Sequence, residues 1–573
     1  SSDLRNETPR WVRVATDPGH AAVYVGGVRL EPGECAHLAE GLYPLLVEAP
    51  IEWMNPWGRH LIRPRLAEVT KQEAEAATAR AEARHAFHVD TWKADVERWE
   101  ASGGAGVRYA DLFGRTRFMM YLFAREAVGT GGYTAELTHY GGIAEKPPAR
   151  YAAAHRTVFG YDVSPKHEMA DLLPRKMFCH TYPSGGRPVA QEINSTPAAP
   201  PELFAALSPV VRDAHRPAVL WGWRRHAGVA GDGPPVAVLE GDPVRAFLHY
   251  PLEAKAKPPA GVLPLTWQAP TLGFYGFRSA WSGGDDFITQ VFLKAQPTGG
   301  WNGPNAGTFR VRGLGHVWAD GPTDRNRHRW EESVVMLPEN PEINASACAR
   351  LTHIETFEDG SGILSMNLDD VYASRKTDHR GKGMRLYERY GGIRQDEAFV
   401  DTGITGVRSI GIDYSGASGA PCLLAVADRI RGGGRKVWVW QLHAPGKKGK
   451  KNDDEGATSL VDRTRTDGPR FTVTRPDGTR LAATFATGQR PVAEVRRTTM
   501  KGRAGSSAGK TLQRPIHGVF AEDDDGAFLV VVTIQRNEPP EVRVQGKGLD
   551  AVVTVGKRVV RFDGERIIFD TTD

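Results

Sequence analysis

A chain of 573 residues is too long for one hydrophobic core, because domains usually run to about 100–200 residues, so two large domains and a small accessory element are expected. With 40% apolar and 25% charged residues, the composition excludes a chain disordered over most of its length. The formal charge of +5 is too modest for a dedicated nucleic-acid binder, although such an excess still attracts an anionic polymer.

Other classes fall away in the same manner. No run of about 18 apolar residues occurs, so no membrane span is expected. Cys35, Cys179, Cys348 and Cys422 lie far apart without CxxC or Cys/His spacing, which supports neither a disulfide framework nor a zinc finger; up to two bridges stay open. Ser1 to Arg10 are polar and lack the apolar centre of a signal peptide. That fits a secreted or periplasmic chain whose leader has been removed, and leaves a cytoplasmic one open. Lys447, Lys448, Lys450 and Lys451 run directly into Asp453, Asp454 and Glu455, which reads as a solvated loop tip with its own compensation.

Residues 1–62 read as a small N-terminal β element. Ala22 to Val25 and Val28 to Leu30 flank a Gly26-Gly27 turn, the signature of a hairpin, and Leu45 to Val47 continues the pattern. So short a sheet buries little alone and is expected to pack on something larger. At Arg63 the texture changes. Leu66 to Trp99 is rich in Ala, Glu, Lys and Arg, with Lys71 four residues before Glu75, and predicts a long helix. A second helix is expected from about Tyr109 to Val128, then shorter ones over Pro148–Val158, Lys166–Cys179, Pro201–Val211 and Asp242–Tyr250, joined by Gly- and Pro-bearing loops. Residues 63–258 are therefore expected to form a helical domain.

Lys257 to Pro264 is a Pro-rich link, and beyond it helix signals nearly vanish. Strands are expected at Phe287–Leu293, Thr308–Arg312, Val437–Leu442, Phe528–Ile534 and Val559–Phe562, separated by turns such as Asp359-Gly360, Pro476-Asp477-Gly478 and Asp563-Gly564. So many strands bury their apolar faces best against a second sheet, so residues 265–573 predict a large antiparallel β-sandwich.

The residues then point to chemistry. Gly131-Gly132-Tyr133-Thr134-Ala135-Glu136-Leu137-Thr138-His139-Tyr140 resembles the loop of heparinase II/III-like polysaccharide lyases, in which a Gly pair, a Glu and a downstream Tyr occur in that order. Val158-Phe159-Gly160-Tyr161-Asp162 is similar to the family's Gly-aromatic-Asp exit, and Gly273 to Ser282 to the opening strand of its sandwich. Ala306-Gly307-Thr308-Phe309, Ala319-Asp320-Gly321 and Val426-Ala427-Asp428-Arg429 follow in the family's order. The resemblance spans roughly residues 105 to 570. It implies an α+β multidomain chain: an incomplete (α/α) toroid-like helical domain followed by a large antiparallel β-sandwich. It also implies a carbohydrate-active lyase with Tyr140 as catalytic acid or acid/base. The sequence departs from the family where a His commonly precedes the small-Gly-Thr-Phe strand; here Trp301-Asn302-Gly303-Pro304-Asn305 stands instead. The Asn or Asn-His that neutralises the uronate has no counterpart in the helix holding His85 and His88. Either an N-terminal part of a larger protein precedes this chain, or its catalytic set differs.

Eliminating a 4-linked uronic acid needs a group that neutralises the C6 carboxylate, a base for the C5 proton and an acid for the departing O4. Tyr140 and its neighbour His139 are the local candidates, since a Gly-rich loop lets the backbone approach a substrate. Glu136 stands four residues before Tyr140 and is expected to orient it or to contact substrate. For the other partner the candidates are His316 and His353, with His180 behind them. Arg187, Asn194, Trp221, Trp301, Asn302 and Asn305 are candidate substrate contacts, by stacking or by hydrogen bonds to sugar groups. No cofactor is expected. A zinc site from Asp320 and His353 lacks its third ligand. The expected partner is an acidic polysaccharide or oligosaccharide, with no nucleic acid and no membrane, and homo-oligomerisation is left open. Two other readings stay alongside: a glycoside hydrolase using paired carboxylates such as Glu136 and Glu192, and a glycan-binding protein that has lost its centre.

Overall fold

The computed structural model describes residues 2–17, 22–25, 28–30, 34–48, 63–79, 128–134, 168–184, 188–190, 201–229, 243–251, 254–294, 305–321, 329–339, 349–372, 374–375, 399–400, 402–442, 459–501 and 510–572, with a few single positions between them. By compactness the chain forms two units, Ser1–Leu122 with Arg150–Val163, and Phe123–Ala149 with Ser164–Asp573. Each is described by itself.

In the first unit the N-terminal strands make two small sheets rather than one. A four-stranded sheet runs Ser2–Asn6, Gly41–Glu48, Ala22–Val25, Val28–Leu30 in spatial order, and a three-stranded one runs Cys35–Leu38, Arg10–Asp17, Arg63–Val69. Val12, Val14, Val23, Val25, Leu30 and Leu38 form a shared core, to which Leu66 adds. The helix expected from Leu66 starts later. Arg63–Val69 pairs with Arg10–Asp17 along its whole length, and helix begins only at 71. The local reason is a capping box: the Thr70 amide donates to Glu73 Oε2 at 2.8 Å and the Glu73 amide to Thr70 Oγ1 at 3.3 Å. Those bonds hold the Glu73 carboxyl below its ordinary value. The Lys71–Glu75 pair forms as expected, at 3.6 Å.

The second unit is built on an eight-stranded antiparallel sheet with Arg350–Thr356 at one edge and Thr464–Asp467 at the other. One face packs on a five-stranded meander (Thr266–Ala269, Phe274–Arg278, Ile288–Phe292, Thr308–Gly313, His316–Ala319) and a four-stranded sheet (Val335–Met336, Lys436–Gln441, Thr511–Asp523, Val492–Lys501). Phe277, Phe309, Leu364, Ile410, Val530, Trp438 and Trp440 share that core. The opposite face is covered too: Leu423, Ala425, Leu529 and Val531 meet Val553, Val560, Phe562 and Ile567 of a C-terminal four-stranded sheet. The sandwich thus has a third layer beyond the two sheets expected. Strands buried on both faces have no polar side to show, which is why Cys422–Arg431 and Ala527–Gln535 carry nearly continuous apolar runs.

In the second unit the α-helices Leu172–Phe178, Pro201–Leu207, Arg216–His226 and Pro243–His249 precede the meander. Gly222 lets two of them close up, since a Cβ there would lie 2.4 Å from Met177 Cε. Trp223 lies between Phe204 and Tyr250. Among the described residues these helices do not close a toroid, so that part of the expected architecture is not confirmed. Arg216–His226 had no counterpart among the expected helices. No described helix is long and apolar enough to cross a membrane.

Candidate functional site

The described stretch Gly129–Thr134 leads directly into the segment carrying Glu136, His139 and Tyr140. Gly131 and Gly132 take φ values of 84° and 68°. A Cβ on Gly131 would fall 2.1 Å from the Gln268 carbonyl oxygen, and one on Gly132 would fall 2.5 Å from the Asp171 carbonyl carbon. Glycine is needed both for the left-handed backbone and for the close approach. Trp267 Nε1 donates to the Gly131 carbonyl at 2.7 Å, and Arg175 Nε to the Gly132 carbonyl at 2.9 Å. Tyr133 then stacks on Phe274, with centroids 4.9 Å apart and planes 14° apart. The loop base is thereby fixed to the outer face of the five-stranded sheet. Gly131→Ala is expected to cost on the order of 1–3 kcal/mol from the backbone conformation alone. A lowered thermal midpoint checks this; an unchanged one overturns the docking.

Strand alternation decides what that face presents. Tyr275, Phe277, Val291, Phe309 and Val311 point into the sandwich core, so Phe274, Gly276, Arg278, Ile288, Gln290, Phe292, Thr308 and Arg310 point outward. Phe178, Trp267, Phe274, Ile288 and Phe292 join Tyr133 in one apolar cluster there. Two buried arginines frame it. Arg278 donates to the carbonyls of Phe178 (3.0 Å) and His180 (2.7 Å) and to Asp286 (2.8 Å), and its guanidinium stacks 3.8 Å from the Trp281 centroid. Arg310 is gripped by Glu332 at 2.5 Å and by Thr308 Oγ1 at 2.9 Å, with its guanidinium 5.8 Å from the Phe292 centroid. Burial pulls the Arg278 guanidinium below its ordinary value, opposed by Asp286.

Beside Arg278, the rings of His180 and His226 meet edge to face at 4.9 Å, and Tyr182 packs on Trp221 at 4.8 Å. Burial pushes the Tyr182 phenol far up, and the Tyr275 phenol up to about 12. His180 Nδ1 donates to the Lys176 carbonyl at 2.5 Å. These groups tie helix to sheet.

Of the residues expected to act, Tyr140, His139, Glu136, Arg187, Asn194, Trp301 and Asn302 lie outside the described residues. Trp221 is half-buried on Arg216–His226, with the Arg225 guanidinium 5.8 Å from its ring. Asn305 is buried, and its Oδ1 has no hydrogen-bond partner. His316 and His353 stand on different sheets with separate partners. His316 Nε2 lies 2.9 Å from Asp477 Oδ2. His353 Nε2 accepts from Arg566 Nη1 at 3.0 Å and lies 3.6 Å from Glu355. Among the described residues no group of three or more His, Cys, Asp or Glu is placed to hold a metal ion. Among the described residues Cys35, Cys179 and Cys422 form no disulfide.

The His316–Asp477 pair has a pH consequence. Burial opposes ionisation of Asp477, but hydrogen bonds from His316 and Thr479 outweigh it and hold the carboxyl well below its ordinary 3.8. A depressed folded value means stability present above the unfolded carboxylate range and lost as pH falls through the folded one. Asp477 is 42% exposed, so the pair is worth only about 0–1 kcal/mol. His316→Ala is expected to move the Asp477 titration upward in a carboxyl NMR experiment; an unmoved titration overturns the pairing.

Arg278 and Arg310 were missed by sequence reasoning. The available signal was a charge at the outward position of an otherwise apolar strand, as in Phe274–Arg278 and Thr308–Gly313. No protein-family model matches this chain, and no curated protein matches it. Among solved structures the chain is similar to the heparan sulfate lyase HepC of Pedobacter heparinus, at 14% identity and TM-score 0.44, with 80% of this chain and 62% of that one covered. It is also similar to a heparinase III, at 10% identity and TM-score 0.47, with 80% and 63% covered. The chain therefore spans less than two thirds of the length of these two structures.

Proposed function

We propose that this chain is a polysaccharide lyase that cleaves a uronic-acid-containing glycan by β-elimination, with Tyr140 as catalytic acid or acid/base. The observation that carries the proposal is the loop base locked on the outer sheet face by Trp267, Arg175 and the Tyr133–Phe274 stack. Tyr140 follows Tyr133 by seven residues, so chain length alone keeps it within about 25 Å of that anchor.

In the proposed step the C5 proton leaves to a base, the C4–O4 bond breaks with its electron pair going to O4, and a C4–C5 double bond forms. Tyr140 delivers a proton to O4; as acid/base it has first accepted the C5 proton through its phenolate oxygen. His139 is the alternative proton acceptor from the same loop. Glu136 orients this pair, while Arg187, Asn194, Trp221, Trp301 and Asn302 contact the sugar.

Incubation with a panel of uronate polymers tests the proposal. The expected result is ultraviolet absorbance from a 4,5-unsaturated uronate at the new non-reducing end. New reducing ends without that chromophore would sink it.

A further inference from the structure

We infer that the hairpin of Val492–Lys501 and Thr511–Asp523 is a binding surface for the polyanionic part of the glycan lying outside the catalytic centre, an inference that rests on the uronate-polymer reading above. The first ground is charge. The whole chain is nearly balanced, with 73 basic and 68 acidic residues, but positions 490–501 and 510–523 hold Arg490, Arg496, Arg497, Lys501, Lys510 and Arg514 against Glu494, Glu522 and Asp523. Arg496 is engaged by Glu494 and Glu522, and Arg514 by Glu331. Arg490, Arg497 and Lys510 are exposed and make no ion pair with a described carboxylate.

The second ground is position. The two strands pair over ten residues, with Arg497 opposite Pro515 and Thr499 opposite Gln513. All four of these residues are exposed, and Gln513 Nε2 donates to Thr499 Oγ1 at 2.9 Å, so this face offers a cation beside hydroxyl and amide groups. The other face is anchored toward the candidate site. Arg514 donates to Glu331 at 2.6 Å, while the adjacent Glu332 grips Arg310 on the outer face of the meander. Two consecutive glutamates thus join the hairpin to the sheet face.

Protection of a sheet edge accounts for part of the charge, because Val492–Lys501 is an edge strand and basic residues discourage edge-to-edge pairing. It does not account for Arg490 and Lys510, which lie off that strand.

The test compares the whole chain with an Arg497→Glu/Lys510→Glu variant and an Arg543→Glu control on the C-terminal sheet. Immobilised polygalacturonate, heparin, dextran and a single-stranded RNA serve as probes over a salt series. The expected result is at least tenfold weaker binding of the hairpin variant to the anionic polysaccharides with a shallower salt dependence, an unchanged control, and no binding to dextran. Equal binding by wild type and hairpin variant overturns the inference, as does an equal loss in the control or a preference for RNA. If wild type binds polyuronate through the hairpin but forms no unsaturated product from any polymer, the lyase reading fails and the binding surface stands. If the product forms and the hairpin variant handles polymer and short oligosaccharide as wild type does, the surface fails and the lyase reading stands.

Discussion

Tyr140→Phe is expected to lower turnover on a uronate polymer by roughly 100- to 10,000-fold, the usual contribution of a positioned proton-transfer group, while leaving polymer binding and thermal stability unchanged. The substitution removes one oxygen and keeps the ring, so packing around the loop is preserved and the loss reports proton transfer. A fall in kcat at constant Kd, measured by initial rates and by binding to the catalytically silent variant, is the expected pattern. Equal turnover by the two proteins removes Tyr140 from the mechanism, and weakened binding without loss of kcat turns it into a substrate contact. His139→Gln on the same loop separates the roles of the pair. If His139 is the base, its loss matches that of Tyr140; if Tyr140 serves as both acid and base, the His139 variant keeps most of its rate.

How much of this was legible in the sequence varies with the distance between interacting residues. Strands such as Thr308–Gly313 and Arg558–Phe562 were readable because alternation and Asp-Gly turns are local signals. The third layer was not readable, because an apolar run such as Phe528–Ile534 reads the same whether one or both of its faces are covered. The misplaced helix start shows the opposite failure. Arg63–Val69 has helix-friendly residues, but its fate is set by Arg10–Asp17, more than 45 residues earlier, while the Thr70/Glu73 capping box was a local signal that could have placed the boundary correctly. The loop base was legible through its glycines and the following Tyr. Its anchors were not: Trp267 reaches Gly131 across 136 positions, and Arg278 reaches Phe178 across 100. A charged residue in a strand suggests solvent, and only the fold reveals that it caps carbonyls inside the protein.

The largest expected loss of stability comes from Arg408, whose guanidinium makes a two-pronged pair with Asp428 at 2.7 and 2.9 Å. Their side chains are 1% and 0% exposed. The same guanidinium donates to the carbonyls of Gly307 (2.6 Å) and Ser333 (2.7 Å). It therefore joins the eight-stranded sheet to the residue that opens Thr308–Gly313 and to the turn that carries Glu332. Removing one partner of a buried ion pair leaves the other charge without compensation, which typically costs about 3–5 kcal/mol. Arg408→Met should lose stability on that scale, read as a shift of the denaturant midpoint with unchanged slope. The decisive comparison is with Arg408→Met/Asp428→Leu. Once both charges are gone no desolvated carboxylate remains, so the double variant should recover a substantial part of the loss. It should not recover all of it, because the Gly307 and Ser333 carbonyls still lack their donor. If the double variant is no more stable than the single one, the cost lies in packing and the electrostatic account fails.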